Sequence, residues 1–198
     1  IACNDDAAGL LIKYLAGRDS AALKVVDMSY QQLMDCCSSQ TELALAAGNF
    51  DLAVLCPNGA ENLLAAGQPY QILGAVVVNG QVLVTNRDAM PQTVGYMNAR
   101  AIQKELVWSN YNRSIEMKPM LPAGLPYALE RNAVEGIVLD ILSALKIRGY
   151  RTPLPSDYPT SVLVVHRDLG DSPELVSFIE AYNQAVRELN SPEILMPE

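Results

Sequence analysis

At 198 residues the chain is long enough for one large domain or two small lobes, and with 50% apolar and 18% charged residues it is composed like a folded globular protein. Fourteen Lys and Arg against 22 Asp and Glu leave a net charge of −8, which argues against a nucleic-acid partner, because a phosphate backbone calls for a basic footprint. No uninterrupted apolar run approaches the ~20 residues of a membrane helix, four cysteines are too few for a disulfide-built scaffold, and one histidine cannot make a histidine-rich metal site.

The chain opens on Ile1-Ala2-Cys3, the end of an apolar strand, and its starting point decides nothing about compartment. Asn4 or Asp5 is placed to cap a helix in which Ala7, Ala8, Leu11, Tyr14 and Leu15 recur at helical spacing up to Gly17. A buried strand is predicted over 23–28, then a loop over 29–37. A helix follows, with candidate caps in Ser38-Ser39-Gln40-Thr41, and ends at Gly48. Asp51 to Leu55 reads as a strand, Pro57-Asn58-Gly59 as a turn, and Ala60 to Ala66 as a helix closed by Gly67. Ile72 to Val78 is the next strand, and Asn79-Gly80 is a turn signal before another at 81–85. Alternating short apolar strands and capped helices are the mark of a parallel α/β sheet.

In the middle of the chain, Thr93-Val94 is a short strand, a helix is predicted over 97–108, and a strand over 115–117. A helical turn over 127–131 and a strand over 134–139 follow, with Asp140 capping a helix over 141–147. Three prolines make 152–160 an irregular crossing. A strand over 161–166 leads to a last helix. Ser172 is its N-cap and Pro173 its first residue, with Leu175, Phe178, Ile179, Tyr182, Val186 and Leu189 on one apolar face. The expected plan is two α/β lobes, 1–85 with 161–198 and 86–160, linked by two crossings that permit a hinge, with chemistry in a cleft where loops leave the carboxyl ends of the strands.

Three phrases, in order and spacing, resemble the type 2 periplasmic-binding-protein superfamily, nearest to the substrate-binding components of ABC importers for nitrate-, sulfonate- and taurine-like solutes. They are Gly48-Asn49-Phe50-Asp51-Leu52-Ala53-Val54-Leu55, then Gln92-Thr93-Val94-Gly95-Tyr96, then 158–185 with Ser161-Val162-Leu163-Val164-Val165-His166 and Pro173-Glu174-Leu175-Val176. The resemblance implies an exported protein, periplasmic or held at the cell surface, which closes two mostly parallel lobes over one small polar solute and hands it to a membrane permease. It implies a monomer with no cofactor, anchored to a membrane only through a lipid outside this chain. The same fold serves effector domains of LysR-type regulators and a few cytoplasmic biosynthetic enzymes, and fold alone does not choose among them.

In such a fold the ligand contacts lie where each strand hands over to a helix, whose amino-terminal amides take anionic or polar groups. The candidates are Asn4, Asp5, Ser38, Gln40, Thr41 and Asn58 in the first lobe, Tyr96, Asn98 and Arg100 in the second, and Tyr158 in the crossing. Each also has a plain role open to it: cap for Ser38 and Thr41, turn residue for Asn58, hinge packing for Tyr158. Basic side chains are scarce at these loops and Asp5-Asp6 adds negative charge. An uncharged, zwitterionic or cationic solute therefore fits better than a dicarboxylate, with a small amide-held anion also open.

For an enzyme there is little: no Gly-x-Ser-x-Gly, no Gly-x-Gly-x-x-Gly, no phosphate loop, and a lone imidazole, His166, at a strand end. Cys3, Cys36, Cys37 and Cys56 all map to the carboxyl edge of the first lobe's sheet. They read as small buried residues, as one disulfide of Cys3 with Cys36 or Cys37, or as a thiol cluster for a soft metal or thiophilic solute.

Overall fold

The structure is a computed structural model and describes residues 1–4, 6–17, 31–33 and 39–190. In chain order the first elements are β1 (Ala2–Asn4), α1 (Ala7–Ala16), β2 (Gln31–Leu33), α2 (Ser39–Ala46), β3 (Leu52–Leu55), α3 (Pro57–Ala65) and β4 (Tyr70–Val78). Then come β5 (Gln81–Thr85), β6 (Thr93–Met97), α4 (Ala101–Asn110), β7 (Glu116–Met120), α5 (Gly124–Glu130) and β8 (Gly136–Asp140). The last are α6 (Ile141–Leu145), β9 (Tyr150–Pro153), β10 (Pro159–His166), a 3-10 turn at Arg167–Leu169 and α7 (Pro173–Leu189). The chain divides into two compact units, Ile1–Val76 with Ser161–Glu198, and Val77–Thr160.

The first unit holds a five-stranded sheet in the order β2-β1-β3-β10-β4. β1 runs parallel to β2 and to β3, and β10 runs antiparallel to β3, with Val162 opposite Leu55 and Val165 opposite Leu52. The expected strand over 23–28 lies outside the described residues, and β2 falls within the stretch expected to be loop. Its sequence, Gln-Gln-Leu, has no apolar pattern, and as an edge strand it needs none: pairing with β1 makes it. The cap of α1 is Asp6 rather than Asn4 or Asp5, since Asp6 Oδ1 accepts from Gly9 N at 3.0 Å. Pro57-Asn58-Gly59 is not a turn before α3 but its first turn, with Pro57 at the first helical position and Cys56 as the N-cap. Tyr70, fully buried, anchors a core of Leu45, Ala53, Leu55, Leu63, Val162 and Val164.

The last helix has the expected cap, Ser172 Oγ accepting from Leu175 N at 3.1 Å, but its buried stripe is Leu175, Phe178, Ala181 and Ala185, with Ile179, Tyr182, Val186 and Leu189 of the expected face only half-buried beside it. Tyr182 on the same side packs on Phe178 with ring centroids 6.0 Å apart, and its hydroxyl is buried without a hydrogen-bond partner. Burial pushes this phenol up to about 12. Tyr182→Phe removes an unsatisfied polar group, so the variant is expected to equal or exceed the parent in urea midpoint at pH 7. The sign at high pH follows from the raised value. Below the unfolded pKa near 10 the parent's phenol is protonated in both states. Between there and about 12 only the unfolded state gives up its proton, so the parent loses stability as pH rises. The variant's midpoint should fall less steeply across that window.

The second unit holds a sheet in the order β7-β6-β8-β5-β9. β6 is parallel to β7 and β8, while β5 is antiparallel to β8 and β9, so two of its four pairings are antiparallel. Residues 81–85, expected in the first lobe, therefore belong here. β5 lies between β8 and β9, and the first crossing falls at Val76–Val77 instead of after Thr85. Asn79 does adopt a left-handed turn conformation, φ 57°, but the turn passes the chain from one sheet to the other and closes no hairpin. Core side chains cover both faces of this sheet: Leu83, Val94, Leu106, Val107, Val138 and Leu154 on the α4 side, and Val82, Val84, Leu125, Leu129, Ile137 and Leu139 on the other. The helix expected over 97–108 begins at Ala101, because Met97 still pairs with β7. The irregular crossing contains a further exposed edge strand, β9.

Candidate functional site

In the first unit the three parallel strands β1, β2 and β3 end at one edge, at Asn4, Leu33 and Leu55, and lead to α1, α2 and α3. Three helix starts therefore share the carboxyl edge of this sheet. Asn4 is the last residue of β1, Gln40 and Thr41 fall in the first turn of α2, and Asn58 is an exposed residue in the first turn of α3. Asp5 and Ser38 lie outside the described residues. At α3 the cap is sulfur: Cys56 Sγ accepts from Gly59 N at 3.4 Å. Cys3 and Cys56 are both buried, while Cys36 and Cys37 lie outside the described residues, and with them the disulfide and the thiol cluster. Among the described residues no three His, Cys, Asp or Glu side chains come together in a metal-holding group.

The carboxyl edge of the second sheet carries a polar set that strand alternation assembles. Val94, Leu83 and Val138 face the α4 side, so Tyr96 on β6, Gln81 on β5 and Asp140 on β8 face the same side two residues away, at that edge. Tyr96 is half-buried, Gln81 is 2% exposed and directly opposite Asp140, and Asp140 caps α6 by accepting from Leu142 N at 3.0 Å. Gln103, in the first turn of α4 and 0% exposed, joins them.

The hydrogen bonds fix both amides. Met97 N–H can only donate, and it donates to Gln103 Oε1 at 2.9 Å. Gln103 thus turns its Nε2 to Gln81 Oε1, at 2.6 Å. That leaves Gln81 Nε2, a buried donor with no hydrogen-bond partner. Rotating either amide would set donor against donor.

Asn98, exposed in the turn after β6, donates its backbone N–H to Met120 O at 3.0 Å. Arg100 is the N-cap of α4, half-buried, with no side-chain cap on the helix. At this edge the sequence points to Tyr96, Asn98 and Arg100, and gives no sign of Gln81, Gln103 or Asp140 as candidates. Tyr158 is half-buried against the Leu83 and Leu106 cluster, and its carbonyl accepts from Asn79 N at 3.1 Å.

At the other edge of this sheet is an open cavity of about 310 Å³ whose lining includes Thr85, Asn86, Arg87, Gln92, Asn132 and Glu135. Several of its polar groups are already paired: Asn86 Nδ2 donates to Asn132 Oδ1 at 2.9 Å and, outside the lining, to Leu129 O at 2.7 Å, and Gln92 N donates to Glu135 Oε2 at 2.6 Å. None of the sequence-predicted residues lines it.

His166 packs edge-on against Tyr70, centroids 5.2 Å apart, and its Nδ1 accepts from Asp168 N at 3.4 Å, capping the 3-10 turn. That is a structural use of the imidazole.

No family model and no curated relative matches the amino-acid sequence. Solved structures do match. The alkanesulfonate-binding protein SsuA of Xanthomonas axonopodis pv. citri, bound to MOPS, is 17% identical with TM-score 0.64, over 96% of this chain and 73% of that one. A nutrient-binding protein of Burkholderia cenocepacia bound to methionine is 14% identical with TM-score 0.66, over 98% and 92%. An ABC transporter periplasmic substrate-binding protein of Coxiella burnetii is 14% identical with TM-score 0.65, over 98% and 94%. The chain has the α/β fold of these binding proteins, in agreement with the resemblance read from its sequence.

Proposed function

We propose that the chain is the extracytoplasmic solute-binding component of an ABC importer, which takes one small polar solute by reversible contacts and passes it to a membrane permease. It works as an exported monomer, without cofactor or covalent chemistry. The observation that carries this reading is the meeting of helix starts and polar side chains at the carboxyl edge of each sheet: α1, α2 and α3 in one unit, α4 with Tyr96, Gln81, Gln103 and Asp140 in the other. Helix amides there recognise a solute without basic side chains, which suits a chain of net charge −8. The two-unit fold shared with binding proteins supports it.

Calorimetric titration with a panel of L-methionine, glycine, taurine, ethanesulfonate, simple amines and divalent cations tests it. One member is expected to bind saturably at one site and to raise the melting temperature, as any native-state ligand does, by about 3 kcal/mol of stability at a hundredfold excess over Kd. Tyr96→Ala and Asn98→Ala should each weaken that binding about tenfold, one or two hydrogen bonds' worth, at nearly unchanged melting temperature. A panel with no binder, or turnover of the bound solute, would overturn the reading.

A further inference from the structure

We infer that Gln81 is the second unit's solute-reading donor, and that the solute it selects is one whose acidic oxygen lies on the Gln81 amide. The inference deepens the binding-protein reading and rests on it. Two independent observations meet at one edge. The first is the orphaned Gln81 Nε2: a buried amide donor without an acceptor is destabilising, and Gln103 and Met97 hold it in the orientation that keeps it so. The second is α4, a ten-residue helix whose N-cap, Arg100, supplies no side-chain cap to its first turn. Uncapped helix amides carry partial positive charge and point at whatever lies beyond the helix start. Gln103 sits in that same first turn, so the helix start and the orphaned amide are coupled through one side chain. Neither the Gln81 amide nor the start of α4 is given a side-chain acceptor.

Asp140, directly opposite Gln81 in the strand ladder and on the same face, already caps α6 and has further partners, and Arg100 stands at the start of α4, so the selection falls on the solute's acceptor oxygen. Gln81 is sealed from water in this structure, so a solute reaches it only when the neighbouring side chains give way; half-buried Tyr96 stands on the same face.

The test uses the intact chain and three sets of probes: the zwitterions L-methionine, glycine and taurine, their amine-only analogues, and their acid-only analogues. The zwitterions and the acid-only analogues are expected to bind, with the amine-only analogues weaker by about tenfold or more, as the loss of a charge-assisted hydrogen bond implies; acid-only probes that bind no better than amine-only ones would overturn the inference. Gln81→Met keeps the length and apolar bulk of the side chain and removes both the donor and the acceptor of its amide. It should weaken zwitterion binding about tenfold while leaving amine-only probes within about twofold. A folded Gln81→Met protein that binds zwitterions as the parent does would overturn the inference and leave the binding-protein reading standing. Should that variant not fold, the side-chain amide resonance of Gln81 in the parent protein decides. It should shift on titration with a zwitterion and stay put with the amine-only analogue, and an unmoved resonance in a saturated protein overturns the inference. A panel in which nothing binds overturns the functional reading itself, and this inference with it.

Discussion

Tyr70→Ala is expected to lose about 4 kcal/mol of stability in urea denaturation, and Tyr70→Phe about 1–2 kcal/mol. The ring is 0% exposed and sits between α2, α3 and β10 in the first unit's core, so truncation leaves a cavity that the surrounding Leu45, Leu63 and Val164 cannot collapse to fill. The hydroxyl adds a separate contribution. It lies 2.7 Å from Phe50 O and 3.1 Å from Leu45 O, and its proton is shared between these two carbonyls, one in the last turn of α2 and one beyond it. Burial and the charge of Asp51 raise its pKa, so the phenol stays protonated and donating throughout the neutral range. Phenylalanine preserves the packing and leaves the two carbonyls without that donor. The loss in Tyr70→Phe is therefore the hydrogen-bond component and the difference from alanine the packing component. A Tyr70→Phe protein as stable as the parent would show that water replaces the hydroxyl, and a Tyr70→Ala loss under about 2 kcal/mol would show a core that collapses.

What the sequence disclosed and what it hid divide along one line. The periodic face of α1 and the caps of α6 and α7 are local, and Asp140 and Ser172 are identifiable as caps from neighbours within three residues, whereas the cap of α1 falls on Asp6, one residue past the candidates. Sheet membership is not local. Asn79-Gly80 announces a turn, and a turn is there, but nothing within a few residues tells that β4 and β5 then pair in different sheets. β2 and β9 are edge strands, made by a neighbour's hydrogen bonds instead of an apolar pattern, and Pro153 at the end of β9 disguised it as irregular chain. The candidate site divides in the same way. Tyr96, Asn98 and Arg100 stand where a strand gives way to a helix, a position visible along the chain. Gln81 and Gln103 are 22 residues apart and become a pair only when β5 and α4 meet on one face of the sheet. Two glutamines in a sequence carry no signal of that. Their burial, and the amide left over, do.

Gly149→Ala should unfold the second unit at a much lower urea concentration than the parent, with a loss of about 3 kcal/mol or more. Gly149 has φ 143°, a region that L side chains rarely adopt. A Cβ there would also stand 2.6 Å from the carbonyl oxygen of Thr85 and 3.0 Å from Val84 Cγ1. The first neighbour is backbone and cannot rotate away. Relief requires moving β9 off β5, where Tyr150 pairs with Thr85 and Arg151 with Val84. That pairing is coupled to the end of α6, because Arg151 Nε donates to Ala144 O at 2.9 Å and its guanidinium also reaches Leu145 and Ile147 carbonyls, the unsatisfied acceptors of a helix end. Displacing β9 therefore weakens the strand edge and the helix end together. Gly124→Ala is the matched control: at the first position of α5, a Cβ meets nothing within 4 Å, and the loss of unfolded-state freedom should stabilise the protein by about 0.4–1 kcal/mol. Opposite signs for one added methyl group at two glycines of the same unit are the expected result. A Gly149→Ala loss below about 1 kcal/mol would mean that β9 can leave β5 without cost, and that the edge of this sheet is not held as the backbone geometry says.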